Sequence, residues 1–290
     1  MRISLAPIPY FWPRQQVIDW YAEAATWPVD IIYLGETICS KRRQMRRDDW
    51  LDVARELRRC GKEVVLSTLA LIEAESEVAS LRRWVSQGEF IIEANDMAAV
   101  QLCHEHQVGF VAGPTLNLYN HESLLLLQEC GLRRWVLPVD QGRQALRSLM
   151  QHWPSHRHWP EIEVTVHGHL PLAYSARCFT ARARGRGKDD CELSCLQDAY
   201  GIPLSTRSGQ PFLRVNGISV MSEICHDLGP DLADLAQHHV EILRIIPGEE
   251  TQRQVHRYHQ AATTLGALAA EGSNGYWYGE AGLARLAATE

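Results

Sequence analysis

Three cysteines in one short stretch carry the strongest chemical signal in this sequence. Cys178, Cys191 and Cys195 form a C-x12-C-x3-C cluster within RCFTARARGRGKDDCELSC. Thiolates gathered on an exposed loop most often hold a metal ion or an iron–sulfur cluster. The glycines and charges between these cysteines oppose a buried apolar segment. The spacing therefore predicts a metal-binding loop, and such a loop needs a fourth ligand from elsewhere in the chain.

The type of metal stays open at this point. Zinc with four protein ligands accepts C-x3-C, and a closed zinc site would hold the loop in place without any chemistry. A 4Fe-4S cluster also accepts three close cysteines and a distant fourth. Positive charge on the loop is expected to lower the pKa of its thiols and to favour metal-binding thiolates. The charges are those of Arg182, Arg184, Arg186 and Lys188.

Composition limits the class of protein. The chain has 290 residues, of which 46% are hydrophobic and 22% charged, and these are ordinary globular values. Its net charge of −6 argues against a protein that mainly coats nucleic acid, although residues 41–47 and the cysteine loop offer a local basic face. Because no apolar run reaches the roughly 20 residues of a membrane helix and the N-terminus lacks the features of a signal peptide, we expect a cytoplasmic location. There the eight cysteines are expected as ligands and reduced thiols rather than disulfides.

Short apolar runs alternate with helix-period stretches along the chain. β-Branched residues fill most of these runs, which predicts strands. The predicted strands are residues 3–8, 30–35, 63–68, 90–94, 109–113, 134–139, 161–168 and 240–247, and the predicted helices are 15–25, 48–60, 76–87, 96–106, 121–130, 142–153 and 251–268. Asp48, Ser76 and Asp96 are candidate N-caps. Eight βα units with short connections predict a (β/α)8 TIM-type barrel, whole or incomplete, as a single domain over residues 1–290.

One long stretch, about residues 170–231, interrupts this alternation after strand seven and is predicted to be irregular. It holds the cysteine cluster, and long insertions in compact domains are usually functional. Active sites of such barrels lie at the C-terminal ends of the strands. Cys39 follows strand two and is therefore expected on the same face as the insertion, which makes it the leading fourth ligand. Cys225 is the rival, whereas Cys60, Cys103 and Cys130 are expected to be packed thiols.

Several polar residues at strand ends are candidates for acid–base chemistry. Glu36 and His167 are the two candidate catalytic residues, with structural roles as the alternative. The other strand-end candidates, expected at the same mouth, are Glu93, Asn95, Asn117, Asp140 and His169. Sequences typical of P-loop, dinucleotide-binding, serine-hydrolase and zinc-protease sites are absent, which removes the commonest interpretations of those kinds.

The stretch EIEVTVHGHLPLAYSARC, followed by CELSC, resembles the signature of the collagenase-like peptidase family, in which a strand ending in His-Gly runs on to a cysteine. VNGISVMS at 215–222 and SNGYWYG at 273–279 add to the agreement. The peptidase name finds little support in the residues, because no serine, histidine and aspartate set and no activated cysteine is evident.

The resemblance implies a specific role. Family members with this cysteine pattern carry a 4Fe-4S cluster and form a heterodimer with a homologous subunit, and the pair hydroxylates aromatic-ring precursors of ubiquinone without dioxygen. Many members have a cysteine four residues after the signature histidine, where this chain has Pro171. The resemblance therefore implies that Cys39 joins Cys178, Cys191 and Cys195 as a cluster ligand. An RNA-directed hydroxylase of the same family, or a structural subunit stabilised by zinc or a cluster, are the alternatives.

Overall fold

A closed barrel of eight parallel strands forms the body of the molecule. The computed structural model describes residues 1–287, so residues 288–290 of the predicted domain lie outside the described residues. Before the insertion run β1 Arg2–Leu5, β2 Ile31–Leu34, β3 Glu63–Ser67, β4 Ile91–Ala94, β5 Phe110–Ala112, β6 Leu132–Val136 and β7 Glu161–Gly168. The insertion contributes β8 Pro171–Tyr174, β9 Ile202–Ser205, β10 Pro211–Asn216, β11 Ser219–Ser222 and β12 His226–Asp227, and β13 Ile242–Ile245 follows it.

The pairing of these strands closes the sheet. β13 pairs in parallel with both β1 and β7, and β6 pairs with β7, so that β1 to β7 and β13 form a continuous ring. Each of the eight apolar runs predicted from the sequence overlaps one of these strands, and β1 and β6 begin one and two residues before the predicted starts. The predicted (β/α)8 TIM-type barrel is therefore confirmed, and it is whole rather than incomplete.

Helices follow the barrel strands and cover the outside of the ring. They are α1 Arg14–Ala24, α2 Arg47–Arg59, α3 Glu75–Val85, α4 Met97–Glu105, α5 His121–Glu129, α6 Arg143–Gln151, the short α8 Leu232–Gln237, then α9 Thr251–Thr264 and α10 Gly275–Tyr278. The short α7 Phe179–Ala183 instead lies in the insertion and packs against β10. In α2, Leu51, Ala54 and Leu57 are buried at the spacing of a single helix face. None of the helices in the described part of the chain is long and apolar enough to cross a membrane.

Two of the three predicted N-caps are wrong. Asp96 caps α4 by accepting a hydrogen bond from Ala98 N at 2.7 Å. α2 instead begins one residue before Asp48, and Asp49 accepts a hydrogen bond from Arg46 N at 2.8 Å. α3 begins one residue before Ser76, where Glu77 accepts from Ala74 N at 3.2 Å. Acidic residues in the first turn satisfy free amide groups from inside the helix, so a polar residue at the predicted boundary was not required.

The stretch predicted to be irregular contains a second sheet. β8, β11, β10 and β9 form an antiparallel sheet of four strands. A tight turn joins β10 to β11, where Asn216 pairs with Ser219 and Gly217 has a φ of +62°. Glycine suits a turn that needs positive φ, so the Asn-Gly pair in VNGIS was an available hairpin signal. Because β8 and β11 line a cavity together with barrel residues, this sheet covers the barrel mouth.

A ladder of buried charges crosses the barrel interior. Glu163, fully buried, accepts hydrogen bonds from Tyr33 Oη at 2.5 Å and Ser4 Oγ at 2.8 Å, and it pairs with Arg244 at 3.0 Å. Arg244 also pairs with Glu93 at 2.6 Å. Removing one partner from such a network leaves uncompensated charge in a region that water does not reach.

We therefore expect Arg244→Met to destabilise the fold strongly. The change leaves the carboxylates of Glu93 and Glu163 buried without their shared cation, which typically costs about 3–5 kcal/mol. Urea unfolding at pH 7 measures the loss. Arg253→Met is the control, because Arg253 pairs with Glu250 and Glu271 on an exposed surface and should change the midpoint little. Similar midpoints for the two variants would contradict the structural role of the ladder.

Candidate metal centre

Four cysteines from two distant segments line one cavity of about 350 Å³. Cys39 comes from the loop after β2, and Cys178, Cys191 and Cys195 come from the insertion. Cys225 lies elsewhere, in a cavity with His169. The structure thus brings the predicted fourth ligand, and not its rival, together with the cysteine cluster.

The loop that carries Cys39 is shaped by its own side chains. The carboxylate of Glu36 accepts hydrogen bonds from Ile38 N at 2.8 Å and Cys39 N at 3.1 Å. Arg42 N donates to Cys39 O at 2.9 Å, which closes a turn around the cysteine. Burial raises the pKa of Glu36, and the nearby charge of Arg42 opposes that rise. The observed contacts of Glu36 fit positioning of Cys39, which is the structural alternative to the predicted catalytic role.

The insertion presents its three thiols from tight local folds. Cys178 immediately precedes α7, and its Sγ accepts from Ala181 N at 3.4 Å. Between Cys191 and Cys195, Glu192 and Leu193 both have positive φ, at 45° and 52°. Two successive left-handed residues curl the backbone, so that both flanking cysteines line the same cavity.

A lysine joins the two segments across the cavity. Lys41 Nζ donates to Lys188 O at 2.9 Å and to Asp189 Oδ1 at 2.8 Å. The pair with Asp189 is solvent-exposed, so its contribution to stability is small. The two hydrogen bonds of Lys41 hold the Cys39 loop against the insertion.

Arg42 makes the most extensive contacts at the site. This buried guanidinium donates from Nη1 to Pro9 O at 2.9 Å and from Nη2 to Asn216 Oδ1 at 2.7 Å. A side chain at Gly217 would lie 2.8 Å from Arg42 Nη2 and 3.0 Å from Ile38 Cγ2. Glycine is therefore required at this position both by the turn and by the close approach of Arg42.

The donors around the cavity suit an iron–sulfur cluster. Arg42 and Ser194 line it, and Arg42 Nε and Ser194 Oγ are buried and lack a hydrogen-bond partner within residues 1–287. Cluster sulfurs accept hydrogen bonds from such groups. In the same part of the chain, no group of three or more His, Cys, Asp or Glu side chains is arranged to hold a metal ion. The support for a cofactor here is therefore the shared lining of one cavity by four thiols and two donor residues.

For Cys39 and Cys195, burial has a larger effect on the thiol pKa than the positive charge that the sequence suggested. Burial raises the pKa of Cys39 and of Cys195, and the charge of Arg42 opposes that rise in both cases. The loop cations are also engaged elsewhere, because Arg184 pairs with Asp198 at 2.7 Å, while Arg186 pairs with Glu192 and Lys188 with Glu73. The thiols of Cys39 and Cys195 therefore favour the protonated form, and a metal would have to displace that proton in order to bind.

His167 lies away from the four cysteines. It lines a second cavity of about 810 Å³ with His169 and Cys225. His169 Nδ1 lies 2.9 Å from Ser222 O, and His169 Nε2 lies 3.6 Å from Cys225 Sγ. Burial lowers the pKa of His167 to about 4 and raises that of Cys225 to about 11. Glu36 and His167 therefore line different cavities.

Two of the remaining strand-end residues lie together, and the others lie apart from them. Glu93 pairs with Arg244 in the barrel and accepts a hydrogen bond at 3.3 Å from the amide of Asn95, which also donates to Thr68 O at 3.0 Å. Asp140 instead accepts from Tyr119 Oη at 3.1 Å on the exposed rim. Within residues 1–287 the expected convergence is therefore partial, because Glu93 and Asn95 line the barrel-mouth cavity together whereas Asp140 does not line it.

Some thiols also differ from expectation. Cys103 is buried in the core as predicted, whereas Cys60 is exposed at the end of α2 and Cys130 is half-buried. Sequence reasoning also missed the contacts of Arg42 with Pro9 and Asn216. Those contacts join residues far apart in the chain, and only the turn signal at Asn216 and its following glycine could have pointed to them.

Comparisons with known proteins add a family and several distant structural neighbours. The model of peptidase family U32 matches residues 19–261. The U32 peptidase Mk0906 is 12% identical, with a TM-score of 0.47 over 87% of this chain and 94% of that one. Dihydropteroate synthase from Thermus thermophilus is also 12% identical, with a TM-score of 0.43 over 92% of this chain and 95% of that one. The spore cortex-lytic enzyme SleL of Bacillus megaterium is 11% identical, with a TM-score of 0.40 over 88% of this chain and 73% of that one.

The buried histidines beside the second cavity predict acid sensitivity. Burial lowers the pKa of both His167 and His226 to about 4, so protonation favours the unfolded state. Their stabilising effect is complete above the unfolded value of about 6.5 and is lost as the pH falls towards 4. Urea unfolding between pH 7 and pH 4.5 should show a decline that is shallower in His226→Gln. His156→Gln, in an exposed loop, is the control. Equal slopes for all three proteins would contradict the buried neutral state.

Proposed function

The chain belongs to peptidase family U32, and we propose that it is the iron–sulfur subunit of an oxygen-independent hydroxylase acting on aromatic-ring precursors of ubiquinone. The observation that carries the proposal is the cavity lined by Cys39, Cys178, Cys191 and Cys195. Within the family, YLGETICSKRR and C-x12-C-x3-C look most like UbiV, whose partner is the homologous UbiU. We infer that a 4Fe-4S cluster binds these four cysteines and that a UbiU-like subunit completes a heterodimer.

The position of Pro171 supports Cys39 as the fourth ligand. Many family members have a cysteine where this chain has Pro171, so this chain offers no thiol at that position. Cys39 supplies a thiol from the β2 loop instead, and Glu36, Lys41 and Arg42 hold that loop in place.

The residues around the cavity have defined roles in this proposal. Once bound, the cluster would supply electron transfer or oxygen-atom transfer. Arg42 places a buried positive charge beside thiolates, which stabilises their negative charge. Arg42 Nε and Ser194 Oγ are positioned to donate hydrogen bonds to sulfur, which sets the reduction potential of such a group. Glu36 keeps Cys39 turned towards the cavity.

Exposed apolar side chains on the surface of the insertion support a protein partner. Leu196, directly after Cys195, is 36% exposed, and Leu204 and Phe212 on the insertion sheet are 39% and 43% exposed. A partner placed here would cover this surface and limit access of solvent to the cluster. Residues 273–279, an alternative place for the partner, instead pack on the barrel itself, because Trp277 is buried and donates to Asp234 at 2.8 Å.

RNA binding by the basic loop receives less support. Its expected contacts were Arg182, Arg184, Arg186 and Lys188, and three of these four cations pair with carboxylates of this chain. Phosphate binding would have to break those pairs. A small aromatic substrate does not require that, so the quinone-precursor proposal fits the observed contacts better.

The cluster is tested by chemical analysis of protein purified without air. We expect brown protein with about four iron and four sulfide per chain. Cys39→Ala, Cys178→Ala, Cys191→Ala and Cys195→Ala should each lower iron content, because each removes a thiol from the cavity. Cys225→Ala and Cys60→Ala are the controls and should retain iron. Stoichiometric zinc without sulfide would refute the cluster, and full iron in Cys39→Ala with loss in Cys225→Ala would refute the ligand set.

The pathway is tested in cells. We expect the chain to copurify with a second cysteine-containing member of its family, because the exposed surface at Leu196 needs a cover. Deleting the gene should abolish ubiquinone only in cells grown without oxygen, with aerobic cells of the same strain as the control. Normal quinone levels under strict anaerobiosis would discard the pathway assignment and leave the cluster untouched.

A further inference from the structure

The barrel mouth itself leaves little space for a substrate. The insertion sheet places Tyr174 and Met221 over Glu93, Thr165 and Arg244 of the barrel. Met221 is 1% exposed, and burial raises the pKa of Tyr174 well above its usual range. The usual position of a barrel active site is therefore filled by side chains of this chain. A ligand that acts near the cysteines needs another cavity.

A groove beside the cysteine cavity provides that space. We call it the α2–α3 groove, because it lies between the loop and helix after β2 and those after β3. It measures about 1440 Å³ with its opening, against about 550 Å³ for the mouth. Its apolar lining comes from Met45, Trp50, Leu69, Ile72, Leu81 and Trp84. Such a lining suits the body of an aromatic or aliphatic molecule.

Five arginines line the same groove, and three of them lack an acidic partner. Arg43, Arg46 and Arg83 have no carboxylate within 4.0 Å in residues 1–287, whereas Arg42 lies 3.8 Å from Glu36 and Arg47 lies 3.6 Å from Asp48. The two acidic residues of the lining, Glu36 and Glu77, accept hydrogen bonds from the backbone of their own loops. The groove therefore carries unneutralised positive charge.

Arginines outside the groove on the same helices behave differently. On α2, Arg55 and Arg58 pair with Glu89 at 3.0 Å and 2.6 Å, and Arg59 pairs with Glu56 at 2.7 Å. On α3, Arg82 pairs with Glu105 at 3.3 Å. On both helices, the arginines that lie outside the groove are thus neutralised by nearby carboxylates. The contrast separates the groove from an ordinary solvated helix face.

The groove also contains a buried hydroxyl without a partner. Ser67 is 2% exposed, lines the groove, and its Oγ makes no hydrogen bond within the described residues. Ser67 O accepts a hydrogen bond from Trp84 Nε1 at 3.2 Å, which fixes the indole as part of the wall. A buried hydroxyl lacking a partner is costly unless a ligand or water satisfies it.

From these features we propose that the α2–α3 groove binds an aromatic carboxylate. Guanidinium groups bind carboxylates through paired, charge-assisted hydrogen bonds. The indoles of Trp50 and Trp84 offer flat surfaces for a ring, and Ser67 offers a hydrogen bond at the groove floor. Arg42 lines both the groove and the cysteine cavity, so the ligand is separated from the four thiols by this one side chain and its loop.

The assignment of this ligand as the hydroxylase substrate rests on the proposed function. Binding itself does not depend on the ubiquinone pathway. If the groove binds an aromatic carboxylate but deletion of the gene leaves ubiquinone levels normal, the proposed binding site stands and the proposed substrate is wrong. If protein with four iron and four sulfide does not bind the aromatic carboxylate, the proposed groove site is wrong and the proposed cluster stands.

The test is calorimetric titration of air-free protein with 4-hydroxybenzoate, the simplest phenol carboxylate. Arg46→Gln and Arg83→Gln should each weaken binding about tenfold, because each removes a charge-assisted hydrogen bond. Arg46→Lys should lose less, since the charge remains. Arg55→Gln and Arg82→Gln, on the same helices but outside the groove, are the matched controls and should bind like the unchanged protein. Unfolding midpoints establish that each variant is folded.

Two further ligands distinguish what the groove recognises. 4-Hydroxybenzamide keeps the ring and removes the charge, so it should bind at least tenfold more weakly. Inorganic phosphate keeps the charge and removes the ring, and it should not compete at similar concentration. Equal binding of the amide, equal competition by phosphate, equal losses in the control variants, or no binding of 4-hydroxybenzoate would each overturn the proposal.

Discussion

The guanidinium of Arg42 is the contact on which the candidate centre depends. It is buried, and it joins three parts of the chain: the segment after β1 through Pro9, the loop of Cys39, and the insertion hairpin through Asn216. A buried cation is tolerated only where acceptors surround it. Here the acceptors come from separate segments, so the guanidinium fixes their relative positions. The same group then influences the pKa of Cys195 and borders the α2–α3 groove.

The barrel interior follows a similar principle on a larger scale. Glu163, Arg244 and Glu93 form a buried ladder that extends towards the mouth, and the insertion sheet closes over its end. Charges in most barrels of this kind face a substrate at that position. In this chain they are satisfied by one another and are covered. The polar groups that could still bind a ligand line the cysteine cavity and the α2–α3 groove rather than the barrel mouth.

Features that depend on local pattern could be predicted from the sequence. β-Branched runs located all eight barrel strands, and the spacing of Cys178, Cys191 and Cys195 identified the insertion as the metal-binding candidate. Barrel geometry also placed Cys39 on the correct face. The insertion sheet was missed because three of the four residues of β9 and the first two of β10 are exposed, so these strands lack the strong apolar runs of the barrel. The role of Arg42 could not be predicted, since it arises from contacts between segments distant in sequence.

The separation of Cys39 from the other three cysteines affects when a cofactor can enter. Roughly half of the chain lies between Cys39 and Cys178, and bringing distant segments together carries an entropic cost that local contacts do not. β2 must pair with its neighbouring strands, and the insertion must fold against the barrel, before all four thiols line one cavity. Lys41 then holds the two segments together. Under the proposed function, a cofactor would therefore load late, onto a folded barrel, and the machinery that delivers iron and sulfide would meet a shaped surface rather than a nascent chain.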